Sequence, residues 1–347
     1  MDYRKLGNSD IAVSVICLGT MTYGEQNNQE QAFAQMDYAH SQGVNFFDTA
    51  ELYAIPPKPE TYGQTEIIIG KWLKARQHRH KIVLASKIAG PGEEWIPHIR
   101  GGQTRFNQKY ITEALDASLK RLQTDYIDLY QLHWPERKTN YFGQLGYTPE
   151  TETSLTPLIE TLQVLNEKVK AGKIRYIGLS NETPWGIMRF LQLAEQFDLP
   201  GIVSIQNPYN LLNRSYEVGL AEISCREEIG LLAYSPLGFG TLSGKYLNGQ
   251  QPDQARLTLF PHYTRYSNAM AITAIEKYVA LAQKNDLDPA QMALAYVNSR
   301  AFLTSTIIGA TNLTQLKHNI ESIDITLPED VLEGIEHIHQ EYPNPSP

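Results

Sequence analysis

The feature that most limits the fold of this chain is an alternation. Eight short apolar or β-branched runs fall at 15–18, 44–48, 82–86, 127–132, 174–179, 202–206, 231–234 and 305–308. Each is followed by a longer amphipathic stretch, at 30–42, 66–76, 109–122, 155–171, 184–197, 216–228, 268–285 with 289–299, and 313–322. Short apolar runs bounded by turn residues read as buried strands, and the longer 3.6-period stretches read as helices. Gly43 and Gly172 stand where a left-handed residue would end a helix. Strands alternating with crossover helices imply a parallel sheet. Eight such units favour closure into an α/β (β/α)8 TIM barrel, because a closed ring has no unpaired edge. The competing architecture, an open doubly wound sheet, usually carries a GxGxxG turn after its first strand, and the chain has none there.

Before the first run, 2–6 and 11–13 flank Gly7-Asn8 and predict a hairpin plugging the barrel floor. After the eighth unit, 328–339 predicts an extra C-terminal helix. With no repeat, low-complexity tract or linker, 1–347 reads as one barrel domain, a size that barrels with insertions reach. Three strand-to-helix connections are long, at 88–108, 133–154 and 235–267, and all belong to the rim where barrel enzymes build their sites.

Charge bears on partners. Thirty basic against 38 acidic residues give a net charge of −8, and no basic block interrupts it, so neither nucleic acid nor an anionic membrane is favoured. The polar start MDYRKLGNSD lacks a signal peptide's apolar core, and no apolar stretch approaches the roughly 20 residues of a spanning helix. A cytoplasmic protein is expected. Cys17 and Cys225 are expected to be buried free thiols in a reducing compartment.

The strand ends carry the chemistry. Asp48 follows VNFF, Lys87 follows IVLAS, His133 follows IDLYQL, Ser180-Asn181 follow IRYIGL, Gln206-Asn207 follow IVSI, and Tyr234-Ser235 follow GLLA. Singly, each has a bland explanation: a turn-forming Asp, a solvated Lys, a core His. In a barrel, however, all converge on one mouth. Tyr53, five residues beyond Asp48, has an unperturbed pKa near 10, too high for easy proton exchange at neutral pH. A neighbouring Lys87 ammonium would lower it, with Asp48 anchoring Lys87. His133 would then donate to an oxygen gaining negative charge. Such a set suits a carbonyl becoming an alcohol, and it needs a bound hydride donor.

At this point the motifs ICLGTMTYG, FFDTAELYA, IVLASKI, LKRLQTDYIDLYQLHWP, GKIRYIGLSN, IQNPYNLL, AYSPLGFGTLSGKY and IIGATNLTQLKHNI resemble the aldo-keto reductases. The likeness covers nearly the whole chain, is nearest the bacterial Tas-like group, and extends to the potassium-channel β-subunit group. It implies NADPH-dependent carbonyl reduction. It also implies a catalytic tetrad of Asp48, Tyr53, Lys87 and His133, with Tyr53 as proton donor and His133 orienting the carbonyl. For the cofactor, the resemblance implies Thr20 and Met21 beneath the nicotinamide, Ser180, Asn181 and Gln206 on its carboxamide, and Tyr234 stacked on the ring, beside Asp48. Ser235, Pro236, Leu237, Gly238 and the loop through Lys245 would cover the pyrophosphate, with Arg256, Gly309, Thr311, Gln315 and Asn319 at the adenosine phosphate end. Many members bind the 2′-phosphate with an arginine where this chain has Gln315, so the resemblance implies that this role would pass to Lys245 and Arg256, as in the channel-subunit group's pattern. Residues 55–62 read as an insertion enlarging one pocket wall.

Tyr23 and Trp134 are the candidate substrate-pocket residues, with Trp95 and Tyr141 as further aromatics near the mouth. The expected partner is a small carbonyl compound, with no metal and no obligate protein partner. An alternative reading is a slow, NADPH-binding redox sensor or regulatory subunit, motivated by the long cofactor loop, although no appended tail or partner domain is evident. A Schiff-base role for Lys87, as in barrel aldolases, is the third.

Overall fold

The computed structural model describes residues 1–149 and 155–347; residues 150–154, the end of the predicted connection 133–154, lie outside the described residues. Two short strands, β1 (Tyr3–Lys5) and β2 (Ala12–Ser14), pair antiparallel as the predicted hairpin. Eight parallel strands then close into a barrel: β3 (Ile16–Gly19), β4 (Phe46–Asp48), β5 (Val83–Ile88), β6 (Ile127–Leu132), β7 (Ile174–Ser180), β8 (Ile202–Pro208), β9 (Gly230–Tyr234) and β10 (Leu303–Ile308). β10 pairs with β3 and seals the ring. The eight sequence runs locate all eight strands.

The helices between them are α1 (Gln29–Ser41), α2 (Gln64–Arg76), α3 (Gln108–Leu122), α4 (Leu158–Lys170), α5 (Pro184–Gln196), α6 (Tyr216–Arg226), the short α7 (Arg256–Leu259), α8 (Ala269–Lys284), α9 (Pro289–Asn298), α10 (Leu313–Glu321) and α11 (Glu329–Glu341). Side-chain caps set several of their starts. Asn28, Asn107, Asn268, Asp288 and Asn312 each accept a bond from a first-turn amide, and Thr183 does the same ahead of Pro184 at the first helical position.

Two apolar layers result. Inside the barrel, Cys17, Phe46, Val83, Leu129, Val203 and Leu232 pack with Leu6, Ile11 and Val13 of the hairpin, so β1 and β2 close the floor. Gly7 turns the hairpin at φ 57°, and a Cβ there would lie 2.1 Å from the Val203 carbonyl oxygen. Only glycine meets both demands. The larger layer lies between strands and helices and includes Phe47, Trp72, Leu115, Leu165 and Phe190.

Cys17 is buried as expected, but Cys225 is exposed. The buried face of α6 is Tyr216, Leu220 and Ser224, spaced four apart, and Cys225 lies one position round the helix from it. No helix among the described residues is long and apolar enough to cross a membrane.

Candidate active site

The floor being sealed, the open end lies at the C-terminal ends of the barrel strands. Asp48 is the last residue of β4, and its carboxylate is buried among three donors. Lys87 Nζ donates to Oδ2 at 2.6 Å, while Gln131 and Gln206 donate to Oδ1 at 3.2 and 2.9 Å. Lys87, on β5, has no exposed surface and also donates to the Thr49 carbonyl at 2.8 Å. Burial pulls the ammonium's pKa down, but Asp48 and Tyr53 together outweigh it and leave it above the ordinary lysine value.

Tyr53 hangs over this pair, its hydroxyl 3.5 Å from Lys87 Nζ. The neighbouring ammonium alone predicts a lowered phenol pKa. The net direction is the reverse: burial raises it, and the opposing pull of Lys87 only partly offsets that. The turn carrying Tyr53 is pinned from below. Glu51 is fully buried and accepts two bonds from the Arg100 guanidinium, at 2.7 and 2.6 Å, and one from the Ala89 amide at 2.7 Å.

His133 follows β6, its ring edge-on to Tyr53 with centroids 5.8 Å apart. Burial, reinforced by Lys87, holds its pKa well below the usual histidine value, so the imidazole is neutral. Its Nδ1 is buried without a protein partner. Asn181 Nδ2 donates to its main-chain oxygen at 2.8 Å, and Tyr234 donates to Asn181 Oδ1 at 2.6 Å. Burial pushes the Tyr234 phenol up to about 12.

A cavity of about 1010 Å³ opens above these groups. Asp48, Tyr53 and His133 line its base, with Lys87 behind them. Thr20 and Met21, Ser180, Asn181 and Gln206, and Tyr234 through Leu237 form the adjoining walls, and Lys245 and Arg256 continue them. Gly309, Thr311, Gln315 and Asn319 form the far end. There the Gln315 side-chain oxygen Oε1 accepts from the Thr311 amide and hydroxyl, both at 3.1 Å, and Asn319 Nδ2 donates to the Gly309 main-chain oxygen at 3.2 Å. Thus the residues named from sequence are gathered around one cleft, with one correction. Gly238 is buried in the turn of its loop, between Leu237 and Phe239, which line the cavity. Tyr23 is absent from the lining: the ring is fully buried in the outer core, its hydroxyl donating to Gln35 at 3.1 Å.

Trp134 does line the cavity, although it is almost wholly buried, and it donates to the Pro91 oxygen at 3.0 Å. Its indole lies where a Cβ on Gly90 would stand, 2.4 Å from Nε1. Trp95 and Phe142 flank it at 5.2 and 5.7 Å between ring centroids. Ile55 and Pro57, of the expected insertion, also face the cavity, whereas Tyr141 packs behind it. Sequence reasoning missed Phe142, Arg265 and the segment Pro345–Pro347, all at the mouth. They lie in aperiodic loops, and only the closed fold brings them to this rim.

Residues 15–340 match the Aldo/keto reductase family. The chain belongs to that family. It is 54% identical to protein tas of Escherichia coli over the full length of both chains. Similarity extends to an uncharacterized oxidoreductase, YrpG, of Bacillus subtilis, 33% identical over 99% of this chain and 97% of the relative. A probable voltage-gated potassium channel subunit beta of Arabidopsis thaliana is 31% identical over 99% and 98% respectively. Membership of the aldo/keto reductases makes the chain an oxidoreductase on a (β/α)8 barrel.

The donor set suits a dinucleotide. Lys245 and Arg256 face the cavity with no carboxylate partner among the described residues, which favours an anion there. Arg256 is stacked instead between Phe239, 3.9 Å from its ring centroid, and Tyr263, at 5.0 Å. No cluster of three or more His, Cys, Asp or Glu among the described residues is arranged to hold a metal.

Proposed function

We propose that this aldo/keto reductase reduces an aldehyde or ketone to the alcohol, with NADPH as the electron source. The observation that carries the reading is the buried Asp48–Lys87 pair with the Tyr53 hydroxyl 3.5 Å from Lys87 Nζ, at the base of a large cavity.

When bound, the nicotinamide supplies a hydride to the carbonyl carbon; the products are the alcohol and NADP+, with one proton consumed. The chain's own residues handle that proton and the oxygen. Tyr53 is the donor to the carbonyl oxygen, and its raised pKa keeps it protonated until negative charge develops there. The Lys87 ammonium then stabilises the phenolate left behind. Asp48 holds Lys87 charged and in place. His133, neutral, presents an N–H to the same oxygen and orients it.

Ser180, Asn181 and Gln206 would hold the carboxamide and Tyr234 the ring, with Thr20 and Met21 beneath. Ser235, Pro236 and Leu237 would cover the pyrophosphate. Lys245 and Arg256 would take the 2′-phosphate, and Gly309, Thr311, Gln315 and Asn319 the adenosine end. Steady-state oxidation of NADPH and of NADH against a panel of carbonyl compounds tests the reading. Multiple turnovers with NADPH support it, and none with any carbonyl overturns it.

A second reading has one motive in the comparisons: the channel-subunit-like relative suggests a cofactor-holding regulatory protein. The loop 235–267 fits a slow-release strap, since Gln26 Nε2 donates to the Gln254 oxygen at 3.4 Å and ties the loop to the segment after β3. Several turnovers per second would exclude that reading.

A further inference from the structure

A second cavity, of about 200 Å³, shares Trp134 and Ser180 with the first. It lies between the ends of β6 and β7 and the helices α4 and α5. Leu132 and Leu179 come to it from the strands, Leu158 and Thr161 from α4, and Phe190 from α5. The reductase reading gives this space no occupant.

Its wall is largely apolar and carries four aromatic residues, Phe106, Trp134, Trp185 and Phe190. Three of them are almost wholly buried, whereas Trp185, at the start of α5, is 60% exposed and marks the lip. The Arg137 guanidinium lies over the Trp185 ring, 4.8 Å from its centroid.

The polar members of the wall are already engaged. Arg137 donates to both oxygens of Glu182, to Oε2 at 3.0 Å, and Glu182 also accepts from the Thr183 amide at 2.6 Å. Glu136 accepts from the Phe106 and Thr156 amides, each at 2.8 Å. Thr161 donates to the Phe106 oxygen at 3.1 Å, and Ser180 to the Gln206 oxygen at 2.9 Å. Among the described residues of this wall, none has a buried side-chain polar atom without a partner. Groups so engaged leave little to hold a water, which needs about two to four partners. An ion would find no free counter-charge, and burying an unpaired charge is costly. Apolar cavities of about 150 Å³ stay dry and take benzene-sized guests.

We propose that this second cavity is a binding site for a small neutral aromatic compound, held separately from the carbonyl substrate. The assignment stands on the cavity's size, its aromatic wall and its spent charges, and it does not depend on the reductase reading. Because Trp134 and Ser180 belong to both cavities, an occupant touches two residues that also form the reacting cleft.

The probe is fluorobenzene, followed by fluorine NMR. The wild-type protein should bind it with a Kd on the order of 1 mM, a modest affinity for so small a ligand. Leu158→Trp fills the second cavity and should weaken binding by about tenfold or more. Leu158→Phe is the milder filler and should act in the same direction, which keeps the test available if the tryptophan variant does not fold. Ile55→Trp fills the first cavity instead and should leave the affinity unchanged. 4-Fluorobenzoate should bind about tenfold or more weakly than fluorobenzene, since its carboxylate meets no free donor. Absence of binding to the wild type would overturn the proposal, as would an affinity that the Leu158 variants leave unchanged. Loss of binding in Ile55→Trp would place the guest in the substrate cleft and overturn it too. Equal affinity for 4-fluorobenzoate would overturn the neutral class of ligand. None of these outcomes bears on carbonyl reduction, which NADPH oxidation reads separately.

Discussion

Lys87 Nζ lies 2.6 Å from Asp48 Oδ2, and neither side chain has more than a sliver of surface. Gln131 and Gln206 complete the carboxylate's bonding, and Thr49 supplies a further acceptor to the ammonium. A buried charge pair is sustained only by such complete satisfaction, because desolvating either ion alone is expensive. The pair therefore helps hold the rim together, and it places a charge 3.5 Å from the Tyr53 hydroxyl.

Replacing Asp48 with Ala should leave the Lys87 ammonium buried and unpaired. The expected loss is about 3–5 kcal/mol of stability, the usual result of breaking a buried pair from one side. Urea unfolding of the two proteins measures it. An unchanged midpoint would show that Lys87 is neutral or solvated instead.

Glu51, two residues before Tyr53 in the same turn, is clamped by Arg100. Arg100→Ala should lower kcat more than it raises KM, since the phenol loses its fixed position while the cavity walls remain. Its unfolding midpoint should fall too, by a loss on the order of 3–5 kcal/mol. A variant that kept kcat while losing stability would confine Arg100 to a structural role.

These two clusters differ in how far the sequence discloses them. Asp48, Lys87 and His133 are legible because a parallel barrel brings every strand end to one rim, so strand prediction alone places them. Tyr53 is legible through its short spacing from Asp48. The Arg100 clamp and Arg265 are not, because both lie in long aperiodic connections whose path is set by tertiary packing. Tyr23 illustrates the converse error. A loop aromatic next to Thr20 and Met21 reads as pocket lining, yet its side chain turns inward to meet Gln35 on α1. The phenol pKa of Tyr53 also reversed direction, since the sequence shows the neighbouring cation but not the depth of burial. Boundaries moved little: the predicted strand 82–86 extends through Ile88, and the predicted helix 155–171 begins at Leu158.

His133 predicts a pH dependence of stability. Its folded pKa lies well below the usual value, whereas the unfolded side chain titrates near 6.5. Below about pH 6.5 the unfolded state takes up a proton that the native state refuses, so stability falls as pH drops through that range. His40, His78, His98 and His339 are shifted the same way and act in any His133 variant as well. Melting temperatures between pH 5 and pH 8 should therefore fall less steeply for His133→Gln than for the wild type. Parallel curves would mean that His133 is protonated in the folded protein.

The hairpin predicts a stability effect remote from the site. Leu6 is fully buried against Val13, Val203 and neighbouring strand residues at the barrel floor. Leu6→Ala should cost about 2–5 kcal/mol, the range for a large-to-small change in a packed core. Because the floor is opposite the mouth, KM for any substrate should stay near the wild-type value. Chemical unfolding and steady-state kinetics read the two effects separately.

The most direct test of the account is Tyr53→Phe, which deletes one oxygen and keeps the ring beside His133. Steady-state NADPH-dependent reduction should fall by about 10²–10⁴, the usual contribution of a positioned proton donor. NADPH binding, followed by protein fluorescence, should remain near the wild-type affinity. Full turnover by Tyr53→Phe across several aldehydes would contradict the assignment of Tyr53 as the donor.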